Sequence, residues 1–236
     1  MDTLMDDITA LVVSYKAKDA LKTTYESLRK FYNIPVIIIE GSPDMHPCLL
    51  YARSIAYGNR NTTVYEMGYN IGHGRGMNTG ICLAKTRYVL IFDSDIEFNA
   101  PCIEKMLELF DDNVVTVGEM YEMGIKGIRG INVPYVHPWF HIIDRNMYFQ
   151  YFPYVHSGAP THIHNADIYL RGHSGDAYRN FPVNKYVRHF KGQTRAINDD
   201  IDGKKSERKQ GEADVRLFMR CEKGLEVRNR RIEKVV

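Results

Sequence analysis

An α/β fold built on a mostly parallel, Rossmann-like sheet with flanking helices is what this sequence predicts, and three observations carry the expectation. Short apolar, β-branched runs alternate with stretches of helical spacing along the first hundred residues. The run Tyr88-Val89-Leu90-Ile91-Phe92 has no polar side at all, as expected of a strand buried on both faces. Two carboxylates, Asp93 and Asp95, then stand at the carboxyl end of that run, where open α/β sheets bind ligands.

In chain order, Ile8 to Ser14 is the first strand, with Tyr15 and Lys16 in the loop at its end. Asp19 to Tyr32 has helical spacing, with Leu21, Tyr25, Leu28 and Tyr32 on one face. Pro35 opens a second strand, Val36 to Ile39, stopped by the turn Glu40-Gly41-Ser42-Pro43-Asp44. Tyr51 to Tyr57 suits a short helix, and Thr62 to Glu66 a third strand by β-propensity. A glycine-rich loop follows, then a helix through Ile81, Leu83 and Ala84, then the strand that ends at Asp93. Beyond it, Pro101 starts a helix with Ile103, Met106, Leu107 and Phe110 on one side. Val114 to Val117 is read as a strand, Gly124 to Gly130 as a loop, Tyr135 to Ile143 as a strand and Arg145 to Phe152 as a helix. Thr161 to Leu170 suits another helix, and Phe181 to Phe190 a last strand-like piece.

Composition bounds the rest. The chain has 236 residues, 44% hydrophobic and 25% charged, which is ordinary for a globular protein with a substantial core. No apolar run approaches the ~18 residues of a membrane span, and the acidic start Met1 to Asp7 lacks a signal-peptide plan, so a cytoplasmic location is expected. The four cysteines show no C-x-x-C spacing and are expected to be reduced thiols. Net charge is +2 but uneven. Residues 1–184 carry 16 Lys and Arg against 20 Asp and Glu, whereas residues 185–236 carry 15 against 9. Such a basic end suits either an anionic partner or a solvated tail.

Two motifs carry chemistry. Asp93-Ser94-Asp95 offers hard oxygen ligands of the kind Mg²⁺ or Mn²⁺ takes alongside phosphates and water; alone, D-x-D is equally compatible with a polar turn. Asn70-Ile71-Gly72-His73-Gly74-Arg75-Gly76-Met77-Asn78-Thr79-Gly80 has glycine at alternate positions and again at 80, allowing close backbone approach to an anion. It is neither G-x-G-x-x-G nor a P-loop.

N-x-G-x-G-x-G-x-N-x-G, a helix, and a strand ending in D-x-D together resemble the family-2 glycosyltransferases of the GT-A fold, particularly the rhamnosyltransferase-like branch. Ala10 to Tyr15 is similar to that family's first strand, and Ile37 to Ser42 to its second, with Glu40 where Asp is usual. Ser157 to Pro160 and the segment from Phe181 to Arg195 are similar to small bacterial and viral members. The resemblance covers residues 8–195, and implies a GT-A domain over 1–195, with a nucleotide-sugar-binding half (1–100), an acceptor half (101–195) and a basic tail over 196–236.

It also implies roles. A nucleoside-diphosphate sugar, linked through UDP, dTDP or GDP, would lie against Ser14, Tyr15, Glu40, Asn70, Gly72, Gly74, Arg75, Asn78, Asp93 and Ser94. Asp93, Asp95 and His189 would hold Mn²⁺ or Mg²⁺, which neutralises the departing diphosphate. An inverting transfer needs a general base, for which Asp167 leads, with Asp176, His162 and His164 behind it. Trp139, His137 and Gly158 would meet the acceptor. The default acceptor is a glycan hydroxyl. The alternatives are hydroxymethylated bases of phage DNA, reached through the basic tail with the salt dependence of phosphate contacts, and a non-catalytic module that only binds nucleotide sugar or glycan. A sugar-1-phosphate nucleotidyltransferase expects a glycine-rich loop after the first strand, and Ser14 to Lys18 contains no glycine.

Overall fold

In the computed structural model the described residues are 4–126, 132–151 and 177–190. Nine strands and five helices follow one another as β1 (Ile8–Ser14), α1 (Lys18–Phe31), β2 (Val36–Glu40), α2 (Pro47–Gly58), β3 (Thr62–Glu66), α3 (His73–Leu83), β4 (Tyr88–Phe92), β5 (Ile96–Phe98), α4 (Ile103–Leu107), β6 (Thr116–Lys126), β7 (Asn132–Asp144), α5 (Arg145–Tyr151), β8 (Tyr178–Asn180) and β9 (Val187–His189) among these residues. Seven strands form one sheet in the order β3-β2-β1-β4-β7-β6-β8, and β5 pairs with β9 in a separate ribbon. The first four are parallel, β7 runs against β4 and β6, and β8 is parallel to β6.

Two-residue periodicity sorts the strands' side chains onto two cores. Ala10, Val12, Ile38, Leu90 and Phe92 face Leu21, Tyr25 and Leu28 of α1. Leu11, Ile37, Ile39, Val89 and Ile91 face Met77 and Ile81 of α3 and Tyr148 of α5. The continuous apolar runs of β1, β2 and β4 exist because helices cover both sides of those strands.

Helix α3 departs from expectation. The glycine alternation suggested a loop through residue 80, but the helix begins at His73. Only Gly72 needs glycine's backbone freedom, with φ +81° at the helix cap. Gly76 and Gly80 lie inside the helix and serve packing: a Cβ on Gly76 would sit 2.6 Å from Val13 Cγ1, and one on Gly80 2.1 Å from Leu11 Cδ1. The missing side chains let α3 lie directly on β1.

Other boundaries moved for similar long-range reasons. The strand expected at 114–117 runs to Lys126, because β7 pairs along its length, so part of the expected loop at 124–130 is strand. The piece expected from Phe181 to Phe190 splits into a 3-10 turn at Val183–Lys185 and the short strand β9. The helix expected at 161–170 and the basic tail fall outside the described residues. No described helix is long and apolar enough to cross a membrane.

Candidate metal centre and cleft

Asp93 follows the last residue of β4 and remains in the ladder, its amide donating to the Trp139 carbonyl at 2.9 Å. The backbone then turns through Ser94 and Asp95 into β5. Buried polar groups on α1 hold that turn from below. The Thr24 hydroxyl lies 2.9 Å from the Ser94 carbonyl and 2.8 Å from that of Ile96, and accepts from the Ile96 amide. The Ser27 hydroxyl accepts from the Phe98 amide. A helix core of Leu and Ala would leave these backbone groups unpaired, which is the physical reason for two hydroxyls on a buried face.

β9 delivers the third member. Its antiparallel register sets His189 opposite Ile96, and the Phe190 amide donates to the Asp95 carbonyl at 2.9 Å. His189 Nε2 then lies 3.3 Å from Asp95 Oδ1 and 3.5 Å from Asp93 Oδ2. The imidazole plane is set by Trp139, which stacks on it at 4.9 Å between centroids and 5° between planes. Ligand atoms of Asp93, Asp95 and His189 all fall within 4.8 Å of one another.

The donor set fits a divalent cation. Two carboxylates this close repel unless a positive charge joins them, and Asp95 is only 3% exposed, so water does little of that screening. Separations of 3.3 and 3.5 Å are near the edge of about 3 Å expected between neighbouring ligands of an octahedral ion bound at about 2.1 Å. Two oxygens with one imidazole suit Mn²⁺ or Mg²⁺ better than a thiolate-seeking metal.

Beside this cluster lies a cleft of about 230 Å³. Its walls are the carboxyl ends of parallel strands: Ser14 and Tyr15 after β1, Gly41 after β2, and Asp93 and Ser94 after β4. The approach to α3 closes it through Asn70, Gly72 and His73. Asn70 Oδ1 accepts from the Gly72 amide at 3.0 Å, fixing the loop that turns into the helix. Lys16, in a left-handed conformation with φ +53°, is held by its amide bond to Ser42 Oγ at 2.8 Å, and its ammonium sits 5.0 Å over the Tyr15 ring.

The residues singled out from sequence divide clearly. Asp93, Asp95 and His189 converge. Ser14, Tyr15, Asn70, Gly72 and Ser94 line the cleft. Glu40 is turned inward. It is fully buried, its Oε1 accepting from the Ser42 amide at 2.7 Å and its Oε2 from the Cys48 thiol at 3.2 Å. It shapes the turn beneath the cleft. Gly74 and Asn78 are likewise drawn inward because the helix starts earlier than expected. Asn78 Nδ2 donates to the Gly74 carbonyl, and its Oδ1 accepts from the Tyr148 hydroxyl. Arg75 is half-buried on α3 and is not among the residues lining the cleft. Trp139 is buried beneath His189, and His137 Nδ1 stands 3.5 Å from the Trp139 amide. Gly158, His162, His164, Asp167 and Asp176 lie outside the described residues.

Sequence reasoning missed Thr24 and Ser27, which read as ordinary polar helix residues, and Gly41, whose absent Cβ would sit 2.6 Å from the Tyr69 carbonyl. It also passed over His73, although the glycine motif contained it.

The thiol beside Glu40 allows a test of this wall. Burial, reinforced by the Glu40 charge, pushes the Cys48 thiol up to about 12. Burial does the same for Cys102, next to Glu104. Both thiols therefore stay protonated in the folded chain where they would ionise when unfolded. Their stabilising contribution is intact below the ordinary thiol range and is lost as pH rises from about 9 towards 12, at up to about 1.4 kcal/mol per pH unit for each thiol. Denaturant titrations across that range should show the decline, and an aromatic disulfide reagent should leave both thiols unmodified near neutral pH until the chain is unfolded. Rapid native labelling of Cys48 would contradict the buried Glu40–Cys48 contact.

Comparison with known proteins agrees with this architecture. A family model described as glycosyl transferase family 2 matches residues 9–162. Among curated proteins, no sequence match was found. Among solved structures, the chain is similar to the mannosyltransferase PcManGT from Pyrobaculum calidifontis, determined in complex with GDP-Man and Mn²⁺. The TM-score is 0.55 and the identity 13%, over 75% of this chain and 55% of that one. It is also similar to TarS of S. aureus, with TM-score 0.52 and 16% identity over 75% of this chain and 37% of that one. The chain thus spans about half the length of the first and just over a third of the second. Their common architecture, the GT-A fold, is the fold seen here.

Proposed function

The chain belongs to glycosyl transferase family 2, and from that premise we propose that it moves a glycosyl group from a nucleoside-diphosphate sugar to a hydroxyl acceptor with the help of Mn²⁺ or Mg²⁺. The observation that carries the proposal is the convergence of Asp93, Asp95 and His189 at the edge of a cleft formed by strand carboxyl ends. The complex of the similar mannosyltransferase with GDP-Man and Mn²⁺ supports it.

In this proposal the nucleoside lies towards Tyr15 and Gly41, and the diphosphate crosses Ser94 to reach the two carboxylates. The loop Asn70–Gly72 and the exposed start of α3 face it, where a helix N-terminus favours negative charge. The cation supplies charge neutralisation for the leaving diphosphate. Asp93, Asp95 and His189 hold it, Trp139 keeps the His189 ring in plane, and Thr24 keeps the Asp93–Asp95 turn rigid. The bond between the anomeric carbon and the phosphate oxygen breaks as the acceptor oxygen attacks from the opposite face. One such displacement inverts the anomeric centre. Its acceptor proton goes to a general base, for which Asp167 is proposed ahead of Asp176 and His162. The division into a nucleotide-sugar half over 1–100 and an acceptor half over 101–195 belongs to the same proposal, with a glycan hydroxyl as acceptor.

A thermal-shift series with UDP-, dTDP- and GDP-linked sugars, with and without Mn²⁺, tests it. One donor present at a hundred times its Kd should stabilise the chain by about 2.7 kcal/mol, or about 5 to 10 °C for a chain of this size. Chelator should remove that shift. Equal shifts with and without metal would remove the cation from the proposal. Binding without metal-dependent release of nucleoside diphosphate would mark a module that binds and does not transfer.

A further inference from the structure

Asp93 stands between two imidazoles, and only one of them belongs to the metal cluster. Its Oδ2 faces His189 at 3.5 Å, and its Oδ1 faces His73 Nε2 at 3.2 Å. The two histidines come from different elements. His189 rides on the β5–β9 ribbon, whereas His73 is the first residue of α3 and lines the cleft. We propose that His73 is a positioning residue for the metal-holding carboxylate. With its Nε2 in contact with Oδ1 at 3.2 Å, it occupies that side of Asp93, so that Oδ2 is the oxygen turned towards Asp95 and His189. This rests on the assignment of Asp93, Asp95 and His189 as a divalent-cation site.

Three features make the contact more than an accident of two polar side chains. First, both partners stand on clamped backbone. Asp93 is tied to Trp139 by its amide, and the entry to α3 is fixed by the Asn70–Gly72 turn. α3 itself is pressed onto β1 at Gly76 and Gly80, so His73 has little freedom to slide along the helix axis. Second, a contact of this exposure, 46% for His73 and 23% for Asp93, adds little to stability. Its consequence is orientation, not folding. Third, a carboxylate pivots readily about its last torsion, and a freely pivoting Asp93 would offer one oxygen, the other, or both. Holding one oxygen leaves a single defined ligand atom. Polar groups packed against ligating carboxylates tune metal affinity in this way. The arrangement also joins the cation site to the cleft wall, since a single side chain touches both.

The test is Mn²⁺ titration of the full chain without nucleotide, following loss of the free-ion EPR signal, on the wild type and on His73→Gln, His73→Leu, His73→Ala and Asp95→Ala. Removing the imidazole in His73→Leu and His73→Ala should weaken Mn²⁺ binding by about 10- to 100-fold, with the metal-free melting temperature unchanged. His73→Gln keeps an N–H at similar reach and should recover most of the loss. Asp95→Ala should bind no Mn²⁺ at the site in any background. Wild-type affinity in both truncations would overturn the positioning role while leaving the cation site standing. A Gln variant as weak as Leu would overturn the polar contact as the basis of the positioning. Failure of both truncations to fold would assign His73 a structural role and overturn it as well. Absence of Asp95-dependent Mn²⁺ binding in the wild type would overturn the cation site itself, and the role of His73 with it.

Discussion

Asp95→Ala is expected to lower kcat/KM for metal-dependent release of nucleoside diphosphate by about two to three orders of magnitude, the scale on which single electrostatic stabilisers of a developing charge act. Asp95 is chosen over Asp93 because it is the more buried carboxylate, 3% exposed against 23%, and so has less water to stand in for a lost ligand. The same substitution has the opposite sign for stability. Without a cation, two carboxylates share one corner, one of them desolvated, and removing that one relieves repulsion and a buried charge. The metal-free melting temperature of Asp95→Ala should therefore equal or exceed that of the wild type. The two signs together identify a group retained for chemistry at a cost to the fold. Activity within a few-fold of the wild type would remove Asp95 from the metal site. A lowered metal-free melting temperature would make it a structural residue.

Gly80→Ala is expected to destabilise the fold, although Ala is normally favoured over Gly in a helix by about 1 kcal/mol. The added Cβ would lie 2.1, 2.5 and 2.8 Å from Cδ1, Cδ2 and Cγ of Leu11, a side chain with no exposed surface and no room to move. Overpacking of this kind costs about 1 to 3 kcal/mol. With three close contacts the upper part of that range applies, so the net loss after the helix gain is about 1 to 2 kcal/mol. Differential scanning calorimetry should record a fall of about 2 to 8 °C. The sign decides. A rise in melting temperature would mean that α3 stands further from β1 than described. The same displacement would move His73 and the cleft wall, so a fall in donor affinity should accompany the loss of stability.

Much of the architecture was legible in local sequence. β1, β2, β3 and β4 stand where apolar runs and β-propensity placed them, and α1 starts and ends within a residue of its periodic pattern. These elements are readable because burial on both faces of a strand and on one face of a helix imposes periods of two and about 3.6 on the chain itself. The D-x-D pair was legible as a candidate from its place at the carboxyl end of a buried strand, and the glycine-alternating motif before it is what favoured a cation over a polar turn.

Other features depended on what lies across the interface. Glycine alternation at 72–80 is the same string whether it forms an anion-binding loop or a helix pressed onto a strand; only the presence of Val13 and Leu11 beneath it selects the second. Glu40 reads as a polar residue at a strand end, and its burial follows from Cys48 and the Ser42 amide meeting it from elsewhere. Trp139 could serve an acceptor site or a core until His189 stacks on its face. The sequence by itself determined the sheet's parallel half, its helices and the acidic strand end, because these obey short-range periodicity and steric limits. The tertiary structure alone decided that His73 meets one oxygen of Asp93 while His189, which the family resemblance implied, meets the other. Those contacts arise from the β5–β9 register and from the tight seat of α3 on β1, and pairings between distant segments leave no period in the chain that forms them.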